Sequence, residues 1–166
     1  MDSEREVFIM ARNIKEIMDE VQDLNVKIQQ VLYHSNFEMY DDLSDVDYDN
    51  TNADELFLLD ELRDILYKLA DVSHTIKYLE RPIKVEGALH KNANGRYEVN
   101  GIELSSGYGL EYLSLDDRHC RYNDNDEYIN TPYWVASRIE HNGQDYYIVG
   151  AKEFDTLENV RVRIRK

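Results

Sequence analysis

The sequence predicts an α+β protein, an N-terminal antiparallel helical hairpin followed by a small antiparallel β-barrel or sandwich. Three observations carry this. Apolar residues recur in steps of three and four through the first half, and the period changes to two after Pro82. Charge divides at the same place, with 20 Asp and Glu against 7 Lys and Arg from Met1 to Glu80, but 14 against 12 from Arg81 to Lys166. The net charge of −15 over 166 residues therefore belongs almost wholly to the front. The expected organisation is an acidic helical hairpin over residues 1–81, with its loop at about 34–53, and a β domain over 82–166.

The first helix is read from Val7, Met10, Ile14, Ile17, Val21, Leu24, Ile28 and Val31, a heptad seam. The second is read from Leu58, Leu62, Ile65, Leu69, Val72, Ile76 and Leu79. It starts after Asn52, with Asp54 and Glu55 in its first turn, where carboxylates favour the positive end of the helix dipole. Arg81-Pro82 closes it, because proline disfavours the helical conformation of the residue before it. Each seam needs a partner, and the other helix folded back is the simplest one. Phe8, Ile9, Met18, Val26, Leu32, Phe57, Leu59 and Leu66 lie off these seams. That surplus is expected to be buried against the C-terminal domain, a second protomer or a target.

Beyond Pro82 the strands are expected at Ile83 to Leu89, Arg96 to Val99, Ile102 to Leu104, Gly109 to Leu115, Tyr133 to Glu140, Asp145 to Val149 and Val160 to Ile164. Turns are expected at Asn92 to Gly95, Asn100-Gly101 and His141 to Gly143, since Asn and Gly tolerate positive φ. Asp116 to Thr131 reads as a polar excursion between strands. The terminal Arg161, Arg163, Arg165 and Lys166 alternate with Val160, Val162 and Ile164, which suggests a solvated edge strand or a counter-patch for the acidic half.

Composition narrows the chemistry. One cysteine, Cys120, excludes an internal disulfide framework and any CxxC metal or redox motif. It neighbours His119, but adjacent residues of a strand point to opposite faces, so a catalytic pair is not expected. The five histidines show no HxxxH or HExxH spacing. Asp45-Val-Asp-Tyr-Asp49 resembles the start of a calcium loop, yet Asn50 and Leu56 stand where that loop requires Gly and Glu. Gly107-Tyr-Gly109 is too short for a dinucleotide fingerprint. No enzyme activity, cofactor or metal is expected. No apolar run approaches the roughly 18 residues of a membrane span, and Met1-Asp-Ser-Glu-Arg-Glu lacks the pattern of a signal peptide, so a cytoplasmic, membrane-free protein is expected.

Several C-terminal motifs occur in a familiar order: Gly87-Ala-Leu89, Asn94-Gly-Arg-Tyr97, Gly101-Ile-Glu-Leu-Ser-Ser-Gly107, Trp134 through Arg138-Ile-Glu-His141, Asp145-Tyr-Tyr147 and Val160-Arg-Val-Arg-Ile164. Together they resemble a family of small β domains designated only as a domain of unknown function, found largely in plasmids, phages and conjugative elements of Gram-positive bacteria. The polar insertion around Asp124 departs from the shorter family pattern. The resemblance implies a genetic setting, a mobile element that must manage its bacterial host, and supplies no catalytic residues.

The expected function is that of a non-enzymatic acidic inhibitor that binds the basic nucleic-acid groove of a host defence nuclease, an anti-CRISPR protein acting on an RNA-guided nuclease being its most specific form. Clustered carboxylates repel phosphates and attract basic protein surfaces, so no direct DNA binding is expected. Asp41, Asp42, Asp45, Asp47, Asp49, Asp60, Glu61 and Asp64 would supply contact charge, with Tyr40, Tyr48 and Phe57 as anchors. An oligomeric adaptor in plasmid maintenance or conjugation, a homodimer paired through its heptad seams, is the alternative. A weak RNA-binding barrel that uses its many tyrosines is a further one.

Overall fold

Asn13 fixes the start of the first helix. Its side-chain oxygen accepts a hydrogen bond from the Lys15 amide at 2.9 Å, and its own amide donates to the Glu16 carboxylate at 3.2 Å. That capping box satisfies two of the donors a helix start leaves open. The computed structural model describes residues 12–37, 43 and 46–166. The chain forms two compact units, Met1–Glu80 and Arg81–Lys166. Val7 and Met10 of the expected first seam, and Phe8 and Ile9 beside it, lie outside the described residues.

Helix α1 (Ile14–His34) and helix α2 (Ala53–Glu80) pack against each other. Asn52 caps α2, its side-chain oxygen accepting from the Asp54 and Glu55 amides. The helices are antiparallel. Leu32, near the end of α1, shares a cluster with Leu59, Leu62, Leu66 and Leu69, while Met18 and Val21, near its start, share a groove with Val72, Ile76 and Leu79.

Packing differs from the expected seams by one residue. Val21, Ile28, Leu62, Leu69 and Ile76 turn inward as expected, but Ile17, Leu24, Val31, Leu58, Ile65, Val72 and Leu79 are exposed. Apart from Leu79 at the end of α2, their places are taken by the next residue along: Met18, Asn25 and Leu32 on α1, and Leu59, Leu66 and Ser73 on α2. Each helix carries an apolar stripe wide enough for two seams, and Leu59 and Leu66 draw the interface onto their own row. Much of the surplus assigned to an external partner is thus the hairpin's own core, whereas Val26 and Phe57 remain exposed.

The second unit is built from antiparallel strands: β1 (Ile83–Ala88), β2 (His90–Lys91), β3 (Tyr97–Val99), β4 (Ile102–Glu103), β5 (Tyr108–Ser114), β6 (Cys120–Tyr122), β7 (Tyr128–Asn130), β8 (Tyr133–His141), β9 (Tyr146–Ile148) and β10 (Arg161–Arg165). One sheet has the order β1-β10-β5-β8-β9, a second β2-β3-β4, and a ribbon pairs β6 with β7. The first two sheets share a core in which Leu89, Val99, Leu104, Leu110, Ile139, Val162 and Ile164 are fully buried. No closed barrel forms, because the five-stranded sheet ends on β1 and β9, which do not pair with each other.

The turns follow their residues. Asn100 and Gly101 both have positive φ, 46° and 79°, the requirement of the two-residue type I′ turn that joins β3 to β4. The polar excursion holds the β6–β7 hairpin, closed by Asn123, whose side chain accepts from the Asn125 and Glu127 amides. The terminal strand is no edge. β10 lies between β1 and β5, and its arginines are bound by Glu86 and Glu111 of those neighbours.

Candidate functional site

Phe57, Asp60, Glu61 and Asp64 stand at i, i+3, i+4 and i+7 along α2, which places them on one helix face. All four are exposed, and Phe57 keeps 65 % of its surface open to solvent. The ring thus stands at the surface flanked by three carboxylates, next to Leu58, which is also exposed. Asp60 is held by Arg63 at 2.8 Å. The side chains of Glu61, Asp64 and Asp71 make no hydrogen bond or ion pair among the described residues.

The loop before α2 contributes differently. Asp49 is a turn residue: its carboxylate accepts from the amide and the hydroxyl of Thr51 at 2.8 and 2.7 Å, and these bonds hold it below the usual carboxylate range. Its amide donates to Glu55 at 2.7 Å. Asp49 therefore shapes the entry to α2 before it can contact a partner. Tyr48 and Asp47 line a groove of about 210 Å³ with Val46, Glu55, Leu58, Leu59 and Leu62. Tyr40, Asp41, Asp42 and Asp45, expected to belong to the same surface, lie outside the described residues. The structure thus brings Phe57, Asp60, Glu61 and Asp64 together on the helix and sets Asp47 and Tyr48 in a groove beside Leu58.

The two units treat charge in opposite ways. In the β unit Lys91 pairs with Asp145, Arg96 with Glu103, Arg138 with Glu140, Arg161 with Glu86, and Arg163 and Arg165 with Glu111. In the helical unit the described ion pairs are Arg12 with Glu20 and Arg63 with Asp60. The β unit neutralises itself from within, whereas most acidic side chains among the described residues of the hairpin face water.

Those β-unit pairs set a pH response. The bonds from Lys91 to Asp145, from Arg96 to Glu103, from Ser106 and Arg138 to Glu140, and from His90 to Glu158 hold all four carboxyls below their ordinary range. Each such group binds its proton more readily in the unfolded chain, so its contribution is complete above the unfolded value of about 4 and is shed as pH falls through the lower folded value. The calorimetric unfolding temperature of the β unit is expected to fall between about pH 5 and pH 3, and less steeply in high salt. A flat profile over that range would show that these pairs contribute nothing.

Sequence reasoning missed Glu111. It is 2 % exposed on β5, contacts Arg163, and accepts from Arg165 Nε at 2.7 Å, while the Arg163 guanidinium stacks over Trp134 at 4.5 Å. A sheet whose core-directed face is apolar gives no signal for a buried carboxylate on its other face, except that Arg163 and Arg165 share that face of β10. Cys120 is exposed, and its neighbour His119 packs edge-on against the Tyr133 ring at 4.4 Å. The Tyr133 hydroxyl donates to Asp116 at 2.7 Å. Among the described residues no group of three or more His, Cys, Asp or Glu could hold a metal ion, and no helix is long and apolar enough to cross a membrane.

Residues 87–164 match the family model of a domain of unknown function, DUF5348. No curated protein and no solved structure matches the chain. The C-terminal half of the protein therefore carries a DUF5348 domain, and the acidic hairpin lies outside the matched residues.

Proposed function

We propose that the protein is a non-enzymatic binding protein whose hairpin engages a basic, nucleic-acid-binding surface on a protein partner. The observation that carries this is the α2 face on which exposed Phe57 stands among Asp60, Glu61 and Asp64, the last two without an ion pair among the described residues. The carboxylates steer the approach to a basic groove, and the aromatic ring supplies the desolvated anchor that charge alone lacks. With the mobile-element setting implied by the family resemblance, the partner is a host defence nuclease, and the action is anti-CRISPR-like competition for a nucleic-acid groove.

The test is capture by the full chain from lysates that contain RNA-guided nucleases, with stepped salt elution. A nuclease should be retained at low salt, released by moderate salt and displaced by its own guide nucleic acid. Phe57→Ala should weaken binding at least tenfold, a hot-spot effect of about 1.4 kcal/mol or more. Changing Asp60, Glu61 and Asp64 to their amides should reduce both the affinity and its salt dependence. Retention that neither the variants nor nucleic acid alters would remove groove competition.

A further inference from the structure

On both helices the exposed apolar row sits one residue before the buried row. Ile17, Leu24 and Val31 precede Met18, Asn25 and Leu32, while Leu58, Ile65 and Val72 precede Leu59, Leu66 and Ser73. One residue is about 100° of helix rotation. The same rotation on two antiparallel helices carries both rows to the same side of the hairpin. The register set by the Leu32 cluster and the Met18 groove puts Ile17 level with Leu79, Leu24 with Val72, and Val31 with Ile65. These are three apolar rungs, spaced one heptad or about 10.5 Å apart. Leu24 is 53 % exposed and Ile65 50 %.

We infer that this face is a homodimer interface, on which a second copy lays its own hairpin to close a four-helix bundle. Heptad spacing on both helices is what knobs-into-holes packing against further helices requires. The borders favour a copy of the same chain over a partner of one charge. Outside the rows, at the next positions, stand Glu20 and Lys27 on α1 and Glu61 and Lys68 on α2, alternating in sign along both helices. A twofold axis across the Leu24–Val72 rung lays α1 on α1 of the copy and matches the three rungs end for end, and it sets Glu20 of each copy opposite Lys27 of the other, as an isologous interface allows. Glu20 is also bridged to Arg12 in its own chain, an exposed pair that holds it only weakly. The area is adequate: the half-exposed rung residues and Leu58 offer on the order of 600 Å² of apolar surface per copy, close to the roughly 800 Å² per partner of a standard interface once the borders are included.

Sedimentation equilibrium on the full chain tests this. Wild type should be a dimer at about 100 µM, a hundredfold above a micromolar Kd. Because the contact is apolar and the hairpin is acidic, added salt should tighten the dimer or leave it unchanged, whereas engagement of a basic partner weakens in salt. Leu24→Glu and Val72→Glu should each raise the dimer Kd at least a hundredfold with helical circular dichroism retained. Val31→Thr with Val72→Thr, which keeps the side-chain shapes, should raise it about tenfold and covers the case in which a charged variant misfolds. Val26→Glu adds the same charge at an exposed site off this face and should leave the dimer intact. A monomer at about 100 µM overturns the inference and shows the face to be covered by the chain itself or kept for another partner. A dimer indifferent to the rung variants, or equally sensitive to Val26→Glu, overturns it too. Phe57 is untouched by these variants, so failure here leaves groove competition separately testable.

Discussion

Glu111→Gln is expected to destabilise the β unit by about 3–5 kcal/mol, because it leaves the guanidinium groups of Arg163 and Arg165 largely buried without their counter-charge. Gln keeps the shape of Glu and its capacity for one acceptor, so the loss isolates the charge from the packing. For a domain of this size the unfolding temperature should drop by more than about 10 °C. Arg161→Gln is the control. It breaks the pair with Glu86, an exposed ion pair worth about 0–1 kcal/mol. Calorimetry on both variants decides the matter: equal shifts would mean that burial of Glu111 adds nothing to its pairing. The contrast follows from sheet position, since Glu111 lies on β5 between β10 and β8, where its side chain is 3 % exposed, while Glu86 lies on the outer strand β1.

The second large effect belongs to the hairpin. Leu66 is fully buried and packs with Phe37, Leu43 and Leu59 in a cluster of four buried residues among those described. Leu66→Ala should cost about 2–5 kcal/mol, combining lost burial with the cavity left behind. The inner row also contains two buried polar atoms without a hydrogen-bond partner, Asn25 Oδ1 and Ser73 Oγ. Ser73→Ala should therefore act in the opposite direction and stabilise by about 1 kcal/mol, since it removes an unsatisfied hydroxyl and improves helix propensity. Thermal melts followed by helical circular dichroism should order the three proteins as Ser73→Ala, wild type, Leu66→Ala. Any other order would show that this row is not where the helices hold together.

Most elements were legible because their residues have local reasons to form them. Asn100-Gly101 dictates a type I′ turn whatever surrounds it, Pro82 ends α2, and alternation places β5, β8 and β10 within a residue or two of their observed bounds. The helix interface was only half legible. A stripe containing both Leu58 and Leu59, and both Ile65 and Leu66, satisfies two seams equally well, and the choice depends on the volume that α1 offers opposite them. The fate of the C-terminal arginines was hidden for a related reason, since whether a last strand is edge or interior depends on the strand order. At the candidate site, where helical spacing sets Asp60, Glu61 and Asp64 on one face with Phe57, the clustered charge was the legible part. It could not show that Asp49 would be taken up by Thr51, a contact made by the local turn.

The chain contains one tryptophan, Trp134, and its ring lies beneath the Arg163 guanidinium on the five-stranded sheet. Both long helices lie in the other unit. Tryptophan emission, excited selectively over the tyrosines of both units, therefore reports the sheet alone, and the helical signal reports the hairpin alone, without any label. If the two signals change together on heating, the halves unfold as one cooperative system; if they part, each unit's free energy can be read separately from a single sample.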